Sequence, residues 1–162
     1  MKLEEIIKIL TKKGKTVSTM ESCTGGGLVN EITNVPGASE VLKFSAVTYS
    51  NEYKIKMGVS KEIIDKYSVY SIETAIEMAR KISEFTNSNY GIGITGKLNR
   101  VDPNNLVGDV NTIYFSIYKK DEDISYNGFI KVNKLSRKEI KEDIIEIIID
   151  KFYEMLKKED LK

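Results

Sequence analysis

The chain has 162 residues, 41% of them hydrophobic, and 25 basic residues against 24 acidic ones for a net charge of +1. That size and apolar content suit one domain with a full core, and the near-zero charge gives no support to direct nucleic-acid binding. Histidine is absent and cysteine occurs once, which excludes an intramolecular disulfide, fits a reducing compartment and leaves no His/Cys cluster for a structural zinc.

The amino terminus, Met1-Lys2-Leu3-Glu4-Glu5, lacks the apolar core of a signal peptide, and no apolar run approaches membrane-spanning length. A cytoplasmic protein with no membrane partner is therefore expected. Leu3, Ile6, Ile7 and Leu10 recur at helical spacing, and Gly14 marks a helix stop. Residues 16–20 are short and β-branched and predict a strand running into the stretch Glu21-Ser22-Cys23-Thr24-Gly25-Gly26-Gly27. Leu28, Val29 and Ile32 predict a helix ending near Asn34-Val35-Pro36-Gly37, and residues 41–49 predict a second strand. Ser71 is placed to cap a long helix with Ile72, Ala75, Ile76, Ala79 and Ile82 on its apolar face. Residues 90–95 predict a buried strand ending at Gly96, and the Asp, Pro and Asn clusters of residues 99–111 predict a loop. Residues 113–118 and 124–132 read as two more strands. Ser136 and Glu139 form an S-x-x-E capping box for a last helix lined by Ile140, Ile144, Ile147, Ile148, Phe152 and Met155. The order predicts an α/β fold, a three-layer α/β/α sandwich with a mixed sheet, as one domain over residues 1–162.

The chemistry concentrates after the first predicted strand. Ligands of open α/β sheets gather beyond the carboxyl ends of strands, where Ser22 lies. The next helix would turn its free N–H groups and positive dipole end toward the same spot. Ser22 then reads as a nucleophile, or equally Ser22 or Thr24 reads as a helix cap with the glycines serving a tight turn. Thr24-Gly25-Gly26-Gly27 could also wrap a phosphate, yet the Lys-Ser/Thr that completes a P-loop is missing. Cys23 has no histidine partner and reads as a small packed side chain. With no histidine, a serine nucleophile needs another base, and a desolvated lysine is the usual substitute. Lys54 is that candidate if burial lowers its pKa by several units, and otherwise a surface lysine at the start of a helix. Tyr49 either orients one of these groups or fills the core.

Ser18-Thr19-Met20-Glu21-Ser22-Cys23-Thr24-Gly25-Gly26 resembles the Ala-Glu-Ser-Cys-Thr-Gly-Gly signature of the CinA C-terminal-domain family, the competence-damage-inducible proteins and nicotinamide mononucleotide amidohydrolases. Pro36-Gly37-Ala38-Ser39 matches that family's Gly-Ala/Ser-Ser turn. Val47-Thr48-Tyr49-Ser50-Asn51-Glu52-Tyr53-Lys54 is similar to its Val-Thr-Tyr-Ser-Asn-Glu-Ala-Lys segment, with Met57-Gly58-Val59 following in register and Val69-Tyr70-Ser71 approximating its Ala-Val-Ser helix entry. The resemblance implies hydrolysis of the nicotinamide mononucleotide carboxamide to nicotinic acid mononucleotide and ammonia, in pyridine-nucleotide salvage, by a serine–lysine pair without metal or cofactor. It implies Ser22 as nucleophile, Lys54 as general base and Tyr49 as a positioning group. Thr24, Gly25, Gly26, Thr95, Gly96 and Arg137 are the implied substrate-binding residues, Arg137 meeting the phosphate; backbone donors from Cys23 to Gly26 are our assignment for the oxyanion. A homo-oligomer is a family-level expectation.

This chain departs from the pattern beside the expected pocket. Where the family carries Thr-Gly-Ile-Ala-Gly-Pro, Thr95-Gly96 continues as Lys97-Leu98-Asn99-Arg100. The Gly-rich run before the family's tyrosine is Phe44-Ser45-Ala46, and Pro-Val-Gly-Thr-Val becomes Leu106-Val107-Gly108-Asp109-Val110. Lys97 and Arg100 either add phosphate contacts or block the site. The alternative function is thus a catalytically inactive nucleotide-binding or regulatory protein on the same scaffold.

Overall fold

The computed structural model describes residues 1–98, 102–104, 110–132 and 136–161. Helix α1 (Lys2–Lys13) ends at Gly14, whose left-handed φ of 64° lets its N–H return to the Leu10 and Thr11 carbonyls. Strand β1 (Val17–Glu21) runs into helix α2 (Gly27–Thr33). Strand β2 (Ala46–Val47) is followed by helices α3 (Asn51–Lys56), α4 (Lys61–Tyr67) and α5 (Ile72–Thr86). Strands β3 (Tyr90–Gly96), β4 (Thr112–Lys119) and β5 (Ile124–Lys131) complete the sheet, and helix α6 (Arg137–Glu159) ends the fold.

The five strands lie in the order β2-β1-β3-β4-β5. β1 is parallel to both neighbours, whereas β3–β4 and β4–β5 are antiparallel, so the sheet is mixed as expected. Alternation along the strands sends side chains to two separate cores. Val17, Ile92, Ile94, Ile113 and Ile117 pack with α1, α2 and α6, while Met20 packs with Met78 and Ile82 of α5. Gly91 and Gly93 face α5; a Cβ on Gly93 would lie 2.4 Å from the Ala75 carbonyl oxygen and 2.6 Å from the Ala79 nitrogen. Two positions without side chains thus let the helix backbone rest directly on the sheet.

Several expectations are corrected. The second strand is two residues long rather than residues 41–49. It is an edge strand, and the segment before it meets β1 irregularly: the Val17 N–H donates to the Val41 carbonyl at 2.8 Å and the Thr19 N–H to the Ser45 hydroxyl at 3.0 Å. A side chain standing in for a ladder carbonyl breaks the regular pairing. Helix α3 begins at Asn51, ahead of the helix start weighed for Lys54, and helix α4 lies outside the expectations; each is short and capped by a serine, Ser50 and Ser60. On α5, Ile72 and Ile76 are only half-buried, and Thr74 and Met78 are buried with Ala75, Ala79 and Ile82. Ile147 is likewise half-buried on α6, where Ile145 and Leu156 join the core. The loop of residues 99–111 lies largely outside the described residues, Arg100 included.

Candidate active site

The strand–turn–helix path brings β1 to its carboxyl end at Glu21 and places Ser22 immediately beyond it. The Ser22 N–H donates to the Ile94 carbonyl of β3 at 3.0 Å, so the serine backbone stays anchored to the sheet. On the other side of β1, the Thr48 N–H donates to the Glu21 carbonyl at 2.8 Å just after the β1–β2 pairing of Glu21 with Val47. Ser50 then caps α3, its hydroxyl accepting from the Tyr53 N–H, and the last turn of that short helix carries Lys54 back over the strand ends.

Lys54 is only 2% exposed. Its Nζ donates to the Thr48 carbonyl at 2.7 Å and lies 3.0 Å from the Ser22 Oγ. Burial lowers its pKa from 10.5 to about 8, because the charged form loses hydration that these contacts only partly replace. Acidic groups nearby pull the other way. Cys23, though, is pushed up to about 12 by burial and stays a neutral thiol, leaving Asp102 as the negative charge acting on Lys54. A neutral amine that keeps its N–H on Thr48 would turn its lone pair toward the serine hydroxyl. That arrangement can take a proton from serine without histidine.

Ser22 and Lys54 open onto a cavity of about 510 Å³ beyond the strand ends. Tyr49, Gly96, Lys97, Leu98, Asp102 and Arg137 are also among the lining residues. Tyr49 is 65% exposed, which overturns the core alternative for this side chain. Arg137, the first residue of α6 behind the Ser136–Glu139 capping box, donates to the Tyr49 hydroxyl at 3.2 Å and to the Leu98 carbonyl at 3.4 Å. A guanidinium is thereby fixed at the cavity wall. On another part of the wall, Lys97 is buried with its Nζ 4.9 Å from the centre of the Tyr70 ring, and the Tyr70 hydroxyl donates to Asp102. Desolvation and that carboxylate together raise the Tyr70 pKa, so the phenol remains a donor.

The structure separates the other candidates from this cavity. Thr24 is buried, and its hydroxyl donates to Glu21 at 2.6 Å. Gly25 and Gly26 take left-handed φ values of 60° and 90°, the backbone of a tight turn. Thr95 is also buried, donating from its hydroxyl to the Val69 carbonyl at 2.9 Å. Of that pair only Gly96 borders the cavity.

The free helix amides expected at the start of α2 are occupied. The Leu28 and Val29 N–H groups donate to the Glu21 carboxylate at 2.9 and 3.0 Å, and the Gly25 and Gly27 N–H groups close turns onto Ser22 and Thr24. Among the described residues, the Cys23 and Thr24 amides take no backbone acceptor. The Gly26 amide takes none either, but of the three residues only Cys23 borders the cavity, so its amide is the loop donor placed for an oxyanion. Glu21, Tyr70 and Asp102 were not picked out from sequence. A glutamate directly before the serine was visible, but its burial depends on how the loop folds back. Among the described residues no three His, Cys, Asp or Glu side chains gather as a metal site, and no helix is long and apolar enough to cross a membrane.

The family model of the CinA C-terminal domain matches residues 2–156. A competence-damage inducible protein of Clostridium kluyveri is 40% identical over 124 residues, covering 75% of this chain and 30% of the relative. One from Caldanaerobacter subterraneus subsp. tengcongensis is 50% identical over 94 residues, covering 57% of this chain and 23% of that one. The chain thus spans less than a third of the length of these curated relatives. Among solved structures, the competence or damage-inducible protein from Enterobacter asburiae superposes with a TM-score of 0.85 at 21% identity, covering 95% of this chain and 98% of that one. The competence/damage inducible protein CihA from Agrobacterium tumefaciens gives 0.78 at 24% identity, with 93% of each chain covered. At these identities the structural likeness establishes the fold alone, and it is the same mixed-sheet α/β fold. The matched family model extends over nearly all of the sequence, and the chain belongs to the CinA C-terminal domain family.

Proposed function

We propose that this chain is a serine–lysine amidohydrolase that converts nicotinamide mononucleotide to nicotinic acid mononucleotide and ammonia, within cytoplasmic pyridine-nucleotide salvage. The observation that carries the reading is the buried Lys54 amine, lowered to about 8 and 3.0 Å from the Ser22 hydroxyl. A lysine held there as a surface charge would have no reason to be desolvated. Neutral Lys54 takes the Ser22 proton as Oγ attacks the carboxamide carbon. The tetrahedral oxyanion is met by the Cys23 amide. Lys54 then passes the proton to the departing nitrogen, ammonia leaves, and the acyl group remains on Ser22. Water, deprotonated by Lys54, attacks the ester; the proton returns to Ser22 and the acid is released. One amide and one water give one carboxylate and one ammonium.

The fixed Arg137 guanidinium supports an anionic substrate, and a cavity of about 510 Å³ has the size of a small-molecule site. Lys97 adds a second positive charge to the wall. The binding-only alternative predicts ligand binding without ammonia release and no dependence on Lys54. The test is product analysis with nicotinamide mononucleotide: equal amounts of ammonia and nicotinic acid mononucleotide from the wild type, and none from Ser22→Ala. Full activity in the alanine variant would reject the reading.

A further inference from the structure

We propose that Glu21 is a positioning residue, an internal anion that fixes the Ser22 loop for attack; this rests on the reading of Ser22 as the nucleophile. The Glu21 side chain is fully buried. Its Oε1 accepts from the Thr24 hydroxyl at 2.6 Å and the Leu28 N–H at 2.9 Å, and its Oε2 from the Thr19 hydroxyl and the Val29 N–H, both at 3.0 Å. No cation pairs with it among the described residues. A buried carboxylate is costly unless its oxygens are satisfied, and here four neutral donors perform that task.

A serine or threonine cap would satisfy a helix of this length with one oxygen. The carboxylate does more. It ties β1 through Thr19, the nucleophile loop through Thr24 and the first turn of α2 through Leu28 and Val29. Ser22 and the Cys23 and Thr24 amides lie on the span it bridges. The backbone of the same residue serves the base: the Glu21 carbonyl accepts from Thr48, whose own carbonyl holds the Lys54 amine at 2.7 Å. One residue therefore sets both members of the pair, its side chain fixing the nucleophile loop and its main chain fixing the base. Because α2 spends its first amides on Glu21, an anionic part of the substrate is directed toward Arg137 instead. A displacement near 1 Å at a reacting atom is enough to lower a rate by about 100-fold, so such a brace is a kinetic feature as well as a structural one.

The test is covalent labelling of Ser22 with a fluorophosphonate. The serine oxygen forms the P–O bond, the P–F bond breaks, fluoride leaves, and Lys54 receives the hydroxyl proton. The wild type, Glu21→Gln, Thr24→Val and Ser22→Ala are compared well below their unfolding temperatures. Glutamine sets an NH₂ group against a helix N–H that needs an acceptor, and valine removes the 2.6 Å hydroxyl contact while leaving the carboxylate in place. We expect no labelling of Ser22→Ala. Labelling of Glu21→Gln and Thr24→Val should be slower by about 10- to 100-fold. The pH midpoint of labelling should stay near the wild-type value, because the Lys54 contacts to Thr48 are untouched. Folded Glu21→Gln labelled at the wild-type rate would overturn the proposal, leaving Glu21 as a stability element only. If Glu21→Gln does not fold, Thr24→Val decides by the same criterion. A wild type that resists labelling altogether removes the nucleophile reading and the proposal with it, a failure distinct from unchanged rates.

Discussion

The buried lysine makes stability depend on pH in a direction opposite to that of an ordinary ion pair. Lys54 is 2% exposed, and its pKa falls from 10.5 to about 8 on folding. Between those values the unfolded chain holds a proton that the native chain has released. Stability therefore rises with pH through that window, and below about pH 8 the native state carries the full cost of a buried ammonium. A fall from 10.5 to about 8 corresponds to about 3 kcal/mol, a substantial part of the ~5–15 kcal/mol that holds a typical domain together. Lys54→Met keeps an unbranched stem and removes the titrating group. It also strips the Thr48 carbonyl of its partner, at about 1–3 kcal/mol, so near neutral pH the two effects oppose each other and the variant should be close to the wild type in stability. The informative quantity is the difference between the two proteins followed by denaturant unfolding from below pH 8 to above pH 10.5. Titrations common to both cancel. The wild type should gain about 3 kcal/mol on the variant across the window. Parallel stability curves would refute the reasoning, because they would mean that the lysine is not desolvated.

For catalysis, kcat/KM should rise with pH through a midpoint near 8, the proton leaving Lys54, and Lys54→Arg should abolish turnover because arginine keeps its proton. A pH-independent rate would contradict the base assignment. Arg137→Gln should raise KM for the phosphorylated substrate about tenfold with little change in kcat, measured by steady-state ammonia release. Unchanged KM would remove Arg137 from the binding role. Gly93→Ala should cost about 2–3 kcal/mol, and a Tm drop of about 5–10 °C by thermal denaturation, because its Cβ would fall 2.4 Å from the Ala75 carbonyl oxygen. A wild-type Tm would mean that α5 does not rest on the sheet as described.

Much of the fold was legible because its signals are local. Gly14 ends α1 in the left-handed conformation, Ser71 caps α5, and the Ser136–Glu139 box opens α6, each read from residues within a turn of the feature. The short helices were harder. Ser50-Asn51-Glu52 and Ser60-Lys61-Glu62 carry a cap and an acidic first turn, but each helix is too short to build a periodic apolar face. The run of residues 41–49 looked like a strand because Val41, Phe44 and Tyr49 are strand formers; of these three only Val41 is buried in the structure, and Phe44 and Tyr49 face out. Spacing within the sequence could not show that Lys54 approaches Ser22 across 32 residues, since the meeting depends on β2 pairing beside β1. The absence of histidine had pointed to a desolvated lysine as the base, and resemblance matched Ser22 and Lys54 to those roles. Glu21 escaped notice for a different reason: its function comes from four donors that the folded loop brings to it.

The most direct measurement is to quench the protein during turnover of nicotinamide mononucleotide and map the acyl group by mass spectrometry. A nicotinic acid mononucleotide ester on the peptide containing Ser22, absent from Ser22→Ala and cleared as product forms, is the expected result. Product formation with no adduct on Ser22, or with the adduct on Cys23, would contradict the serine–lysine account.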